Sequence, residues 1–210
     1  MGIIFDLDGT LFDSLEDLKN SLNTVLEKNN LKQHNSEQYR DFIGNGMQKL
    51  VERAIPKDYR DKDLILEQFL DEYGRRYYEA SKPYEGINAL LKALNKKGVK
   101  IAICTNKKQE YTDEIVKRFF SDIDFISVVG HRNDGLNKPS AHYPKLIAKE
   151  MGLKPNQVYF IGDSDVDMQT ALNANMKPIG VAWGFRSTEE LKEAGAIQIV
   201  KKAKDILKLV

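Results

Sequence analysis

A single cysteine, Cys104, excludes an intrachain disulfide and fits a reducing cytoplasm. It lies in an apolar run and reads as buried filler before it reads as a nucleophile. No apolar stretch approaches the roughly 20 residues of a membrane-spanning helix. No charge sign dominates, because 32 basic and 31 acidic residues are interspersed and leave a net charge of +1. A nucleic-acid binder would carry a one-sided basic excess, so that class is excluded. The three histidines, His34, His131 and His142, lack the spacing of a zinc site and read as surface residues. Internal repeats and low-complexity tracts are absent, and the first strand begins too early to leave room for a signal peptide. These absences set the expectation of a cytoplasmic protein with no nucleic-acid or membrane partner.

What is present is an ordinary globular balance, with 41% hydrophobic and 30% charged residues in a chain of 210. That length suits one large domain or two modest ones. The most informative stretch is the first. Ile3-Ile4-Phe5 is an apolar run flanked by Gly2 and Gly9, as a buried strand requires. Asp6 and Asp8 follow at positions that share a face in an extended chain, and Gly9 lets the backbone turn away. Two carboxylates held this close need a cation, a shared proton or water between them.

From 14 to 82 the apolar spacing is helical. Ser14 with Asp17 resembles a capping box, and Leu15, Leu18, Leu22, Val25 and Leu26 mark the face of the helix that follows. Further helices are expected around Ser36 to Ile43, Met47 to Ala54 and Asp63 to Ala80. About 70 residues of helix are too many for a connection, so 14–82 is expected to form a small second domain. After Pro83 helix and strand alternate. Strands are expected at Val99 to Cys104, Phe125 to Val129, Val158 to Ile161, Ile179 to Ala182 and Ile197 to Val200, and a helix at Ala203 to Val210 closes the chain. Such alternation predicts an α/β core, a Rossmann-like parallel sheet with helices on both faces, built from 1–13 and 83–210. Ligands of these sheets bind beyond the carboxyl ends of the strands.

Three strand ends carry chemistry. Thr105-Asn106 offers a hydroxyl and backbone N–H groups to a phosphate, and it is equally ordinary helix-start chemistry. Asp163, Asp165 and Asp167 follow the fourth apolar run directly, which suits a hard cation and also suits a helix N-cap. Lys138, in the loop after the third run, would by itself be read as surface.

Taken in order and spacing, these pieces resemble the haloacid dehalogenase-like superfamily of hydrolases. Asp6-Leu7-Asp8-Gly9-Thr10 looks like its first motif, Thr105 its second, Lys138 its third, and Gly162-Asp163 with Asp167 its fourth. Gly44-Asn45-Gly46, Pro83-Tyr84-Glu85-Gly86 and Ala182-Trp183-Gly184-Phe185 are similar to phosphoglycolate-phosphatase-type members. Ala141 departs from the pattern, because many relatives carry proline there. The resemblance implies that 14–82 is a helical cap and that the chain is a Mg²⁺-dependent phosphatase acting on a small phosphorylated metabolite. It implies Asp6 as nucleophile and Asp8 as general acid/base, with Thr105, Asn106 and Lys138 holding the phosphoryl group. Mg²⁺ would rest on Asp6, the backbone carbonyl of Asp8, and Asp163, while Asp167 orients Lys138 or metal-bound water.

In the helical block, the Gly44-Asn45-Gly46 loop is expected to face the site, with Asn45 offering donor and acceptor to substrate and Lys49 and Arg53 meeting a substrate carboxylate; otherwise Gly44 caps one helix, Asn45 starts the next and both cations are solvated. A phosphosugar mutase or pyrophosphatase of the same superfamily is the alternative, and a non-catalytic phosphoacceptor domain a remote one. A monomer or homodimer is expected.

Overall fold

Ile3, Ile4 and Phe5 are fully buried, and the strand they form stands in the middle of a sheet. The computed structural model describes residues 1–210, which divide into two compact units. Met1–Phe12 with Pro83–Val210 makes the larger unit, and Asp13–Lys82 the smaller.

The larger unit is an α/β fold. Its parallel strands are β1 (Gly2–Phe5), β4 (Lys100–Lys108), β5 (Ser127–His131), β6 (Val158–Gly162), β7 (Lys177–Val181) and β8 (Gln198–Val200), in the spatial order β5-β4-β1-β6-β7-β8. Two further strands, β2 (Phe12–Asp13) and β3 (Lys82–Pro83), pair where the chain passes out of this unit and back. Register is set by apolar pairs, with Ile3 opposite Ile101, Phe5 opposite Ile103, and Ile4 opposite Phe160 on the other side. The helices of this unit are α5 (Ile87–Lys96), α6 (Gln109–Phe119), α7 (His142–Glu150), α8 (Asp165–Asn173) and α9 (Thr188–Glu193). On one face of the sheet Ile4, Ala102, Cys104 and Phe160 pack with Ile147, Ala148 and Met151 of α7 and its end, and with Ala171 and Ala174 at α8. Cys104 is therefore filler in a core, and burial pushes its thiol up to about 12.

The order of strands matters for function. From β1 the chain steps to β4 and outward to β5, then returns across the sheet to β6 and outward to β7 and β8. The reversal falls at β1, so the carboxyl ends of β4, β1 and β6 border the crevice where such folds bind ligands.

The smaller unit is helical, with α1 (Leu15–Lys28), α2 (Ser36–Phe42), α3 (Met47–Ala54) and α4 (Lys62–Arg76). Leu18, Leu22, Val25 and Leu26 of α1 and Ile65, Phe69 and Tyr73 of α4 are buried at helical spacing.

Several boundaries differ from the sequence reading, each for a local reason. Ser14 makes no capping bond. Asp17 instead accepts from the N–H groups of Ala80 and Ser81 and from the Ser81 hydroxyl, at 2.6 to 3.2 Å. That turn is why α4 stops at Arg76 and not at Ala80. The strand expected at Val99 to Cys104 runs on to Lys108, slipping register against β5 between Cys104 and Lys108. β5 itself begins two residues later than expected, with Ser127 opposite Ala102. The last stretch is 3₁₀ over Ala203–Leu209, and its buried residues Ala203 and Ile206 are three apart, as that helix requires. The helix α9 was not anticipated from sequence. Its start is a capping box between Ser187 and Glu190.

Candidate active site

β1 ends in Asp6, and the backbone then closes into a tight turn in which the N–H groups of Thr10, Leu11 and Phe12 all point at the Leu7 carbonyl. Gly9, at φ +80°, supplies the left-handed residue this turn needs. The turn fixes Asp6 and Asp8 at the carboxyl end of the central strand. β6 ends in Gly162 and hands over to α8 through Asp163 and Ser164, whose hydroxyl caps the helix. Lys138 reaches the same place from the β5–α7 connection.

Asp6, Asp163 and Asp167 are all buried, and their carboxylate oxygens come within 4.8 Å of one another. Lys138 Nζ lies 2.8 Å from Asp6 Oδ1 and donates to Asp167 Oδ1 at 2.6 Å. The contact with Asp6 is an ion pair without hydrogen-bond alignment. Burial raises the Asp6 carboxyl to about 7; the negative charge of Asp167 adds to the rise, and Lys138 opposes it. Burial also raises Asp163, with Asp167 and Asp6 adding to the effect. Lys138 is held firmly protonated. Burial disfavours its charge, but Asp167 and Asp6 outweigh that cost.

Three buried carboxylates against one lysine leave uncompensated negative charge, which a divalent cation would answer. The donor set fits an oxygen-loving ion. Both Asp167 oxygens are already engaged, Oδ1 by Lys138 and Oδ2 by the backbone N–H and hydroxyl of Ser164. Asp163 Oδ2 accepts from the Phe185 N–H at 2.8 Å, and its Oδ1 has only a long bond from Thr10, at 3.3 Å. Asp6 and Asp163 thus retain coordinating capacity, whereas both Asp167 oxygens are taken up by Lys138 and Ser164.

The backbone makes room for these carboxylates. A Cβ at Gly184 would fall within the Asp163 side chain and 2.6 Å from the Gly9 carbonyl. Trp183, beside it, donates its indole N–H to the Thr10 carbonyl at 3.0 Å.

Thr105 is buried where β4 slips register, and its hydroxyl accepts from the Lys107 N–H. No helix begins at Thr105-Asn106, contrary to the sequence reading, because β4 continues to Lys108 and α6 starts at Gln109. Asn106 turns its side-chain amide to the backbone of Lys138, donating to its carbonyl at 3.1 Å and accepting from its N–H at 2.9 Å. It braces the loop that carries the lysine.

Sequence reasoning gave Lys107 no role, although it adjoins Thr105 and Asn106. Its Nζ sits 3.0 and 3.2 Å from the two oxygens of Asp8. The sign available in sequence was a lysine directly after an apolar strand, where its side chain is drawn into the site. Asp165, counted among the acidic residues of this turn, points to solvent and lies 3.9 Å from Arg186. In the smaller unit, Arg53 donates to Asn45 Oδ1 at 2.7 Å and to the Phe42 carbonyl at 2.9 Å, while Lys49 pairs with Glu52 at 2.6 Å.

Comparison with known proteins places this arrangement. The model of the haloacid dehalogenase-like hydrolase family matches residues 3–181. A phosphoglycolate phosphatase of Mannheimia succiniciproducens is 30% identical over 98% of this chain and 96% of its own length. Another, of Aquifex aeolicus, is 30% identical over 87% of this chain and 85% of its own. Among solved structures, one described as a predicted phosphoglycolate phosphatase, from Haemophilus somnus, superposes with a TM-score of 0.91. It is 30% identical and covers 99% of this chain and 96% of that one.

Proposed function

The chain belongs to the haloacid dehalogenase-like hydrolase family, and from that premise we propose a Mg²⁺-dependent phosphatase of the phosphoglycolate type that works through an aspartyl-phosphate. The observation that carries the reading is the buried, negatively unbalanced cluster of Asp6, Asp163 and Asp167 around Lys138.

A phosphate monoester brings nearly two negative charges to a carboxylate nucleophile, and the two repel. Bound Mg²⁺ would supply the charge neutralisation that lets them meet, held by Asp6, the Asp8 backbone carbonyl and Asp163. Asp6 attacks phosphorus in line, forming a new P–O bond as the ester P–O bond breaks. Asp8 gives its proton to the departing alkoxide and later takes one from the water that releases phosphate. Thr105 and Lys138 hold the phosphoryl oxygens, with the Asn106 N–H beside them. The Asn106 side chain keeps Lys138 in place. Asp167 orients the Lys138 ammonium.

The helical unit 14–82 is the cap in this reading, the part that would choose the leaving group. Of its three expected substrate residues, Lys49 has its charge answered by Glu52, while the guanidinium of Arg53 faces neutral acceptors. Arg53 is therefore the one assigned to a substrate carboxylate, with Asn45 presenting it.

Phosphate release from small esters, assayed with Mg²⁺ and in chelator, tests the reading. Asp6→Asn should abolish turnover while leaving the fold intact. Acid-quenched wild-type enzyme should carry phosphate on Asp6. Hydrolysis retained in the variant, or full activity in chelator, would refute the mechanism.

A further inference from the structure

The two catalytic carboxylates are served by different lysines. Lys138 lies against Asp6 and Asp167. Lys107 lies against Asp8, its Nζ at 3.0 Å from Oδ1 and 3.2 Å from Oδ2. The Lys107 side chain is 0% exposed and that of Asp8 17%. An ammonium buried this completely has given up its hydration and most of its rotamer freedom, which an incidental surface pair would not offset. Its backbone is fixed as well. The Lys107 N–H donates to the Thr105 hydroxyl, its carbonyl accepts from the Thr112 hydroxyl, and Gly130 of β5 comes so close that a Cβ there would stand 2.7 Å from that carbonyl.

We propose that Lys107 is the positioning residue for Asp8, holding its carboxyl group so that, when protonated, one oxygen stays on the ammonium and the other presents the proton to the leaving-group oxygen. The proposal rests on the reading of Asp8 as general acid. A carboxylate on a single Cβ–Cγ bond can rotate, and an acid displaced by a fraction of an ångström loses much of its effect. The ammonium contacts both oxygens, so it restrains that rotation and fixes where the carboxylate lies. Lys107 itself touches neither phosphorus nor the attacking oxygen in this account.

The test is a single-turnover measurement of leaving-group release from 2-phosphoglycolate and from 4-nitrophenyl phosphate. The alkoxide of the first needs a proton from Asp8 as its P–O bond breaks, whereas nitrophenolate departs without one. Lys107→Met should slow release from 2-phosphoglycolate by about 10²-fold, the usual worth of general acid help, and from 4-nitrophenyl phosphate by less than about threefold. Lys107→Arg, whose guanidinium can also hold a carboxylate, should recover part of the loss. Asp8→Asn should show the same selectivity, and adding Lys107→Met to it should cost nothing further on 2-phosphoglycolate. Where the Met variant proves insoluble, Lys107→Gln gives the same ratio. Equal losses on both esters would mean that Lys107 serves the phosphoryl group or the fold, and no loss on either would make the pair incidental; both overturn the proposal. Asp8→Asn slowing both esters equally would instead remove the premise, the acid role of Asp8.

Discussion

At the scale of single residues, the site depends on small side chains as much as on charged ones. Gly184 has room for no Cβ, because one would displace the Asp163 carboxylate from the Phe185 N–H and press on the Gly9 carbonyl. Gly184→Ala should therefore leave the circular dichroism spectrum unchanged yet reduce kcat/KM by about 10²-fold, the cost of misplacing a reacting group by about 1 Å. It should also raise the Mg²⁺ concentration needed for half-activity. Unaltered kinetics would mean that Asp163 has freedom the structure does not suggest. Arg53 makes a different demand. Arg53→Met should raise KM for 2-phosphoglycolate about tenfold or more, as loss of a charge-assisted bond does, and spare 4-nitrophenyl phosphate, which has no carboxylate to meet. Equal changes for both esters would return Arg53 to bracing the Asn45 loop.

Elements owe their limits to bonds that reach across sequence. Asp17 on α1 gathers the Ala80 and Ser81 N–H groups, and so ends α4 and turns the chain toward β3. Removing a buried acceptor leaves those donors unpaired. Asp17→Ala should cost about 2–3 kcal/mol, typical of a hydrogen-bonded charge, and lower the urea midpoint of the helical unit followed by its own tyrosine signals. An unchanged midpoint would show that water replaces the carboxylate at no loss.

For the molecule as a whole, the acid cluster couples stability to pH and metal. Asp6 is raised from 3.8 to about 7 by burial and by Asp167, against Lys138, and Asp163 is raised for like reasons. The fold thus disfavours their charged forms. The stabilising contribution of each is complete below the ordinary carboxylate range and is lost as pH rises through its raised folded-state value, about 7 for Asp6. Metal-free protein should melt at lower temperature at pH 8 than at pH 6. Mg²⁺ should raise Tm more at pH 8, because a cation held by the folded cluster would favour its ionised carboxylates. Asp163→Asn should flatten the decline. A Tm that climbs between pH 6 and pH 8, or an equal Mg²⁺ increment at both, would contradict this account of the cluster.

The sequence by itself determined the parts whose signals are local. Ile3-Ile4-Phe5 read as a buried strand from its apolar run between glycines, the alternation after Pro83 implied a parallel α/β sheet, and the spacing of Leu18, Leu22 and Val25 marked a helix before any packing was known. The motif resemblance added the family. Tertiary structure decided what depends on neighbours distant along the chain. Asp17 read as a capping partner of Ser14 until Ala80 and Ser81, more than sixty positions away, claimed its carboxylate. β4 ran past its apolar residues because β5 pairs with Lys108 through His131, and no propensity at 105–108 records that. Lys107 and Asp8 stand 99 positions apart, and a lone lysine carries no sign of its partner. Only the strand order, which brings the ends of β4 and β1 side by side, turns those two side chains into one unit of the site.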